Sequence, residues 1–218
     1  MTKNLIEVVW FKRDLRTSDH KPLYDASLTE LPILPLFVIE PDYWKRPYAS
    51  KRHWDFLRDC LRDLNKDCDL LGQPLVIKTG DIISTLKSIQ GTFQIKKIRA
   101  HEETGDDWTY TRDIKVRAWC NKNYIPLIEY PNNGVVRGLK DRDKWTSIRN
   151  ERVFGEITPK PEKIIPINPA YEIKAPEKTN PFLKALPEEK AQSGGRSEAI
   201  SLVKSFKGTR GKDYLFNI

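Results

Sequence analysis

The chain has 218 residues, 39 % hydrophobic and 31 % charged, with a net charge of +8. That length gives one large domain, or one domain with an appendage. No apolar run approaches the roughly 20 residues that cross a bilayer. The start has neither the apolar core nor the small-residue cleavage site of a signal peptide, so a cytoplasmic protein is expected. Cys60, Cys68 and Cys120 are odd in number and form no CxxC, which fits reduced thiols. The positive charge favours an anionic partner, a weak signal by itself because it is spread along the chain.

Five short apolar runs alternate with amphipathic stretches. LIEVVWF (5–11) comes first and carries one charge, Glu7, so it is placed centrally in a sheet. Asp19 is a candidate cap for a helix running through Leu23 to Leu28. ILPLFVIE (33–40) is the second run. A long helix over 50–71 follows from the three- and four-residue spacing of Trp54, Leu57, Leu61 and Leu64. PLVIKTG (74–80) is the third run, and Asp81 caps the helix after it. IKKIRAH (95–101) is the fourth, followed by a helix with Trp108, Ile114, Ala118 and Trp119 as its periodic set. YIPLIEY (124–130) is the weaker fifth. Strands alternating with helices predict a parallel sheet with helices on both faces, joined by right-handed crossovers.

The pattern changes after about residue 131. Only a short helix is expected around 141–153. Seven of the fifteen prolines fall between Pro159 and Pro187, which predicts an extended, surface-bound linker. A further helix follows the glycines at 194–195, with Ile200, Val203 and Phe206 as its apolar stripe. A helix docked on the sheet domain and the start of a second domain both fit it, and the second is preferred.

Ligands of open parallel sheets bind outside the carboxyl ends of the strands. Those ends are Phe11–Arg13, Ile39–Pro41, Thr79–Asp81 and His101–Gly105. No GxGxxG, no P-loop and no GxSxG elbow is present. The histidines, His20, His53 and His101, have no metal spacing. In WFKRDLR, Asp14 can pair Arg13 or Arg16 in a local network that fixes the first loop. Glu102, Glu103, Thr104, Gly105 and Asp106 precede a helix whose first N–H groups suit an anion. Trp108 offers a stacking surface for a flat heterocycle or, at helical spacing, a core residue. Tyr43, Trp44 and Tyr48, with Lys45, Arg46, Lys51 and Arg52, form a basic and aromatic loop. It suits nucleic acid contact or a solvated flap over the pocket.

VWFKRDLRTSDHKPL resembles the N-terminal signature of the DNA photolyase/cryptochrome family. FVIEP (37–41), SKRHWDFLRDCLRDLN (50–65), LVIKTGD (75–81), HEETGDDWTYTRDIKV (101–116) and NNGVVRGLKDRDKW (132–145), then the proline linker and GGRSEAI, follow in the family's order. The wording at 101–116 is similar to the class III photolyase and plant-cryptochrome-like branch.

The resemblance implies a Rossmann-like α/β domain that binds an antenna chromophore. It also implies a helical domain that holds FAD and the DNA lesion. The organisation expected is an antenna domain at 1–131, a linker at 132–192 and the truncated start of the helical domain at 193–218. FAD and damaged DNA would then belong to the missing domain. The fragment itself would bind nucleic acid weakly and without preference for damage.

The expected sheet has five parallel strands in the order 3-2-1-4-5. Its cleft is walled by Phe11, Lys12, Ile39, Glu40, Glu102, Glu103, Gly105 and Trp108. Arg13, Asp14, Arg16, Arg112 and Asp113 are expected to be structural, tying the first loop to neighbouring chain. Trp108-Thr109 stands where the family's folate pocket carries an Asn-Glu pair, which speaks against folate bound in that manner. Folate bound differently, a deazaflavin, a flavin or a lumazine are the chromophores left. The expected function is the antenna domain of a light-driven DNA repair flavoprotein. The alternatives are the same domain of a cryptochrome light sensor, or a stand-alone nucleotide-binding protein.

Overall fold

A strand that is apolar at all but one position suits a place covered on both faces. β1 (Leu5–Phe11) takes that place. It pairs with β2 (Ile33–Ile39) on one side and β4 (Gln94–His101) on the other. β3 (Val76–Thr79) lies outside β2, and β5 (Leu127–Tyr130) outside β4. All pairs are parallel and the order is β3-β2-β1-β4-β5, as expected. The computed structural model describes residues 3–167, 192–212 and 214.

Alternate residues of β1 enter opposite cores, as the two-residue period of a strand requires. Ile6, Val8 and Trp10 join the layer under α4 (Ile82–Thr92) and α5 (Asp107–Lys122). Val9 and Phe11 join the layer under α1 (Lys21–Ser27) and α3 (Lys51–Leu70). Glu7 sits in this sheet 2 % exposed. Arg99 on β4 makes that burial tolerable: its Nε lies 2.7 Å from Glu7 Oε2. The thiols of Cys60, Cys68 and Cys120 are unbridged. Burial pushes Cys68 up to about 12 and Cys120 up to about 11, so both are neutral thiols near pH 7.

Three local expectations are corrected. The cap of α1 is His20, whose Nδ1 accepts from Leu23 N at 3.1 Å. Asp19 is instead turned to φ +53 and bonds through its backbone to Thr158. In α5 the buried stripe is Thr109, Asp113, Val116, Trp119 and Cys120, while Ile114 is 45 % exposed. That stripe keeps helical spacing but includes two polar residues, which apolar counting passes over. The third correction concerns the proline-rich segment. Residues 158–167 run without helix or strand, but not on the surface alone. Ile164 and Ile167 are each 4 % exposed, one in each core. The segment is bonded in place by Ile164 N to Leu71 O (2.8 Å) and Ile33 N to Ile165 O (2.9 Å). The rest of the expected linker, 168–191, lies outside the described residues.

The first helix expected beyond the core domain is α6 (Trp145–Phe154), after a 3-10 turn at Arg142–Lys144. The last is α7 (Arg196–Ser205). The first turn of α7 is held on α3 by polar bonds. Ser197 N and Oγ both donate to Asp63 at 2.9 Å, and Gly195 N reaches Cys60 Sγ at 3.2 Å. Its stripe of Ile200, Val203 and Phe206 stays half-exposed.

Candidate functional site

The chain winds outward from β1 in two directions, so the loops after β1 and β4 part at the carboxyl end of the sheet. A cavity of about 530 Å³ opens there. Lys12, Arg13, Glu40, Glu103 and Arg112 line it and belong, with Asp113, to a network of six ionisable groups. Lys12 Nζ meets Asp113 Oδ2 at 2.9 Å. Arg112 donates to Asp113 Oδ1 (2.8 and 3.0 Å), to Glu40 Oε2 (2.9 Å) and to Glu103 Oε2. Arg13 Nε meets Glu103 Oε1 at 2.9 Å. Three cations and three carboxyl groups thus meet in a largely buried cluster. Burial raises the Glu40 carboxyl to about 7, against the pull of Arg112. Against the cost of its own burial, Glu103, Asp113 and Glu40 hold the Arg112 guanidinium more firmly protonated than usual.

Aromatic side chains make the walls. Arg112 lies over both Trp10 (4.9 Å) and Trp108 (5.6 Å), close enough for cation–π attraction. Tyr43, from the short helix α2 (Pro41–Trp44), faces Trp108 with ring centroids 5.6 Å apart. Tyr48 donates its O–H to Asp106. The basic and aromatic loop after β2 is therefore tied across the cleft to the start of α5.

Asp14 does not pair Arg13 or Arg16. Its Oδ1 accepts from Lys12 N at 2.8 Å. Its Oδ2 accepts from His20 Nε2 at 2.7 Å and His101 Nδ1 at 2.6 Å. Burial raises its pKa, but the bonds from His101 and His20 overcome that and hold it well below the usual range. Burial lowers His20, despite Asp14. Arg16 reaches Asn132 Oδ1 (3.1 Å) and the Asp19 carbonyl (2.9 Å). Asp14, His20 and His101 are close enough to suggest a metal. The donor chemistry argues otherwise: His20 Nδ1 accepts the Leu23 N–H, whereas a histidine ligated through Nε2 carries a proton on Nδ1.

Of the residues expected to wall the cleft, Phe11, Lys12, Glu40, Glu103 and Trp108 line the 530 Å³ cavity. Glu102 and Gly105 line a second cavity of about 250 Å³ that also touches Lys12 and Glu103. Ile39 lines neither and is packed in the core, 5 % exposed. Sequence reasoning gave Arg112 a structural pairing with Asp113 and missed its place in the cleft wall. It stands four residues after Trp108, hence on the same helix face, which is the signal that could have found it. His53, Cys60 and Arg196 were missed as lining residues too. They come from α3 and α7, and nothing local marks them. The N-terminus of α5, expected to attract an anion, is already capped: Asp106 Oδ1 accepts from Thr109 N at 3.0 Å.

Gly105 is required by close packing. A Cβ there would collide with Thr109 Oγ1 and lie 3.2 Å from Glu103 Oε1. Gly105→Ala is expected to cost about 1–3 kcal/mol of stability. Urea unfolding measures it, and an unchanged midpoint would show that the loop yields freely.

Comparisons with known proteins agree with this architecture. Residues 7–154 match the DNA photolyase family. Cryptochrome DASH of Solanum lycopersicum is 25 % identical over 136 residues, covering 60 % of this chain and 23 % of that protein. A Synechocystis sp. cryptochrome structure is similar at a TM-score of 0.78 and 19 % identity, covering 98 % of this chain and 49 % of that one. A class III photolyase structure from Agrobacterium tumefaciens gives 0.71 and 15 %, covering 94 % and 45 %. The chain thus spans about half the length of these solved structures and under a quarter of the curated relative. No helix among the described residues is long and apolar enough to cross a membrane. With the family match over most of the α/β domain and the sheet order it predicts, the chain belongs to the DNA photolyase family.

Proposed function

We propose that this chain is the antenna-chromophore domain of a photolyase-type flavoprotein, one that uses light to repair pyrimidine dimers in DNA. The observation that carries the reading is the 530 Å³ cleft at the switch point of the sheet, with Trp10, Tyr43 and Trp108 as apolar walls beside this fixed network of ionisable groups. Flat ligands take such sites: apolar surface supplies affinity and a few fixed polar groups supply orientation. FAD and the lesion belong, on this reading, to a helical domain outside residues 1–218. The chain alone should then bind nucleic acid weakly and in a salt-sensitive way. The cryptochrome DASH relatives favour a second reading, in which the same domain serves a light sensor.

The test of the cleft is fluorescence titration of the purified chain with riboflavin and with tetrahydrofolate. One of them is expected to bind, and Trp108→Ala to weaken that binding at least tenfold, since a stacked aromatic wall carries much of the energy of a flat ligand. Unchanged affinity in Trp108→Ala would remove the indole from the site.

A further inference from the structure

One wall of the 530 Å³ cleft comes from outside the α/β domain. Gly195, Arg196 and Ala199, at the start of α7, line it together with Phe56, Leu57 and Cys60 of α3. Gly195 precedes the helix and has no side chain with which to cap it. Asp63 of α3 takes that role from 134 residues away: its Oδ2 accepts from Ser197 N and its Oδ1 from Ser197 Oγ, both at 2.9 Å. A carboxylate at this end also complements the helix dipole. Gly195 N reaches Cys60 Sγ at 3.2 Å, and Gly194 N reaches Asp59 Oδ2 at 3.4 Å. The two glycines allow the close approach. A Cβ at Gly194 would collide with Phe56 O, and Gly195 takes φ +114 against the Asp63 side chain. Among the described residues, no hydrogen bond or ion pair beyond this turn ties α7 to the α/β domain. Arg196 faces the cleft with no bonding partner among the described residues, so an acceptor on a bound molecule would engage it.

We propose that Asp63 is a positioning residue for the cleft, and that through it occupancy of the cleft is coupled to the docking of α7. A molecule in the cleft touches both sides of the joint, so it binds the docked form more tightly than the undocked one. Linkage then requires docking and binding to favour each other by the same factor. The chain that follows α7 inherits this bias in its placement. The proposal rests on the reading of the cleft as a chromophore site, and the experiment separates the two.

Hydrogen exchange of the full 218-residue chain, read by mass spectrometry, follows the amides of 195–205 alone and with saturating riboflavin or tetrahydrofolate. Asp63→Ala is expected to speed exchange there at least tenfold, the yield of losing hydrogen bonds to a charged acceptor. In the natural chain, whichever of the two probes binds is expected to slow exchange of the same amides at least threefold. Asp63→Ala should weaken that probe by a comparable factor, a readout that a cap serving the helix alone would not move. Ser197→Ala removes one of the two bonds from the α7 side and leaves the α/β domain untouched. It should shift both readouts the same way by less, and it decides should Asp63→Ala fail to fold. Equal exchange in the natural chain and in Asp63→Ala would overturn the joint. A probe that binds without changing exchange at 195–205, or that binds Asp63→Ala as tightly as the natural chain, would overturn the coupling and leave the cleft standing. Binding of neither probe would remove the cleft reading and the coupling with it.

Discussion

Asp14→Asn is expected to cost about 3–5 kcal/mol of folding stability, the range for breaking a buried, fully bonded charge. The carboxylate accepts three N–H groups, from Lys12, His20 and His101. These donors come from the end of β1, the cap of α1 and the end of β4, so one side chain fixes three elements where the cleft opens. Asparagine has a single acceptor oxygen and turns an N–H donor toward other donors.

The loss should depend on pH in a defined direction. The lowered Asp14 pKa contributes stability that is complete above about 3.9 and lost as pH falls through the folded value. His20 is also lowered, so stability begins to decline as pH drops below about 6.5, where an unfolded histidine takes a proton. In the variant, burial still lowers His20 while the pull of Asp14 is gone. Its stability should therefore decline more steeply between pH 6.5 and 4.5 than that of the natural chain. Urea unfolding across that window measures both effects. A loss under about 1 kcal/mol, or parallel pH profiles, would show that the cluster is not the anchor of this loop.

The physics of legibility follows from the same residues. The sheet order and the alternation along β1 rest on apolar patterning, which is local, and Asp81 caps α4 within three residues of its target, Ser84 N. Such features can be read in a short window. The Lys12–Asp113 pair joins residues 101 apart, and Asp14–His101 joins residues 87 apart. Patterning shows that Asp14 is charged, and local pairing with Arg13 or Arg16 is then the economical guess. Only the parallel placement of β1 beside β4 brings His101 to it. Ile164 and Ile167 were hidden for a different reason. Prolines mark an extended backbone, and this one passes the start of β2, where Ile164 and Ile167, three residues apart, enter opposite cores. The cleft walls from α3 and α7 required knowledge of tertiary packing, whereas Arg112, at four residues from Trp108, did not.

Arg112→Met should also cost about 3–5 kcal/mol near pH 8. Methionine keeps the bulk of the side chain and removes the charge that Glu40, Glu103 and Asp113 share. Lys12 still faces Asp113 and Arg13 still faces Glu103. Glu40 is therefore the carboxylate most exposed to the loss. In the natural chain burial already lifts it to about 7. An acid raised on folding binds its proton more readily in the folded state. Its contribution is present below the unfolded value of about 4.3 and is lost as pH rises to about 7. Without Arg112 the folded value climbs further, so stability should go on falling with pH beyond 7. Adding Glu40→Gln removes the unpaired charge, and the double variant should recover about 1–3 kcal/mol through coupling. Chemical unfolding of the four proteins in this cycle, at pH 5 and pH 8, measures the coupling and its pH dependence. The single variant should be closer to the natural chain at pH 5, where Glu40 is protonated. Equal losses at both pH values, with no recovery in the double variant, would mean that Arg112 acts through its packing on Trp10 and Trp108 and not through its charge.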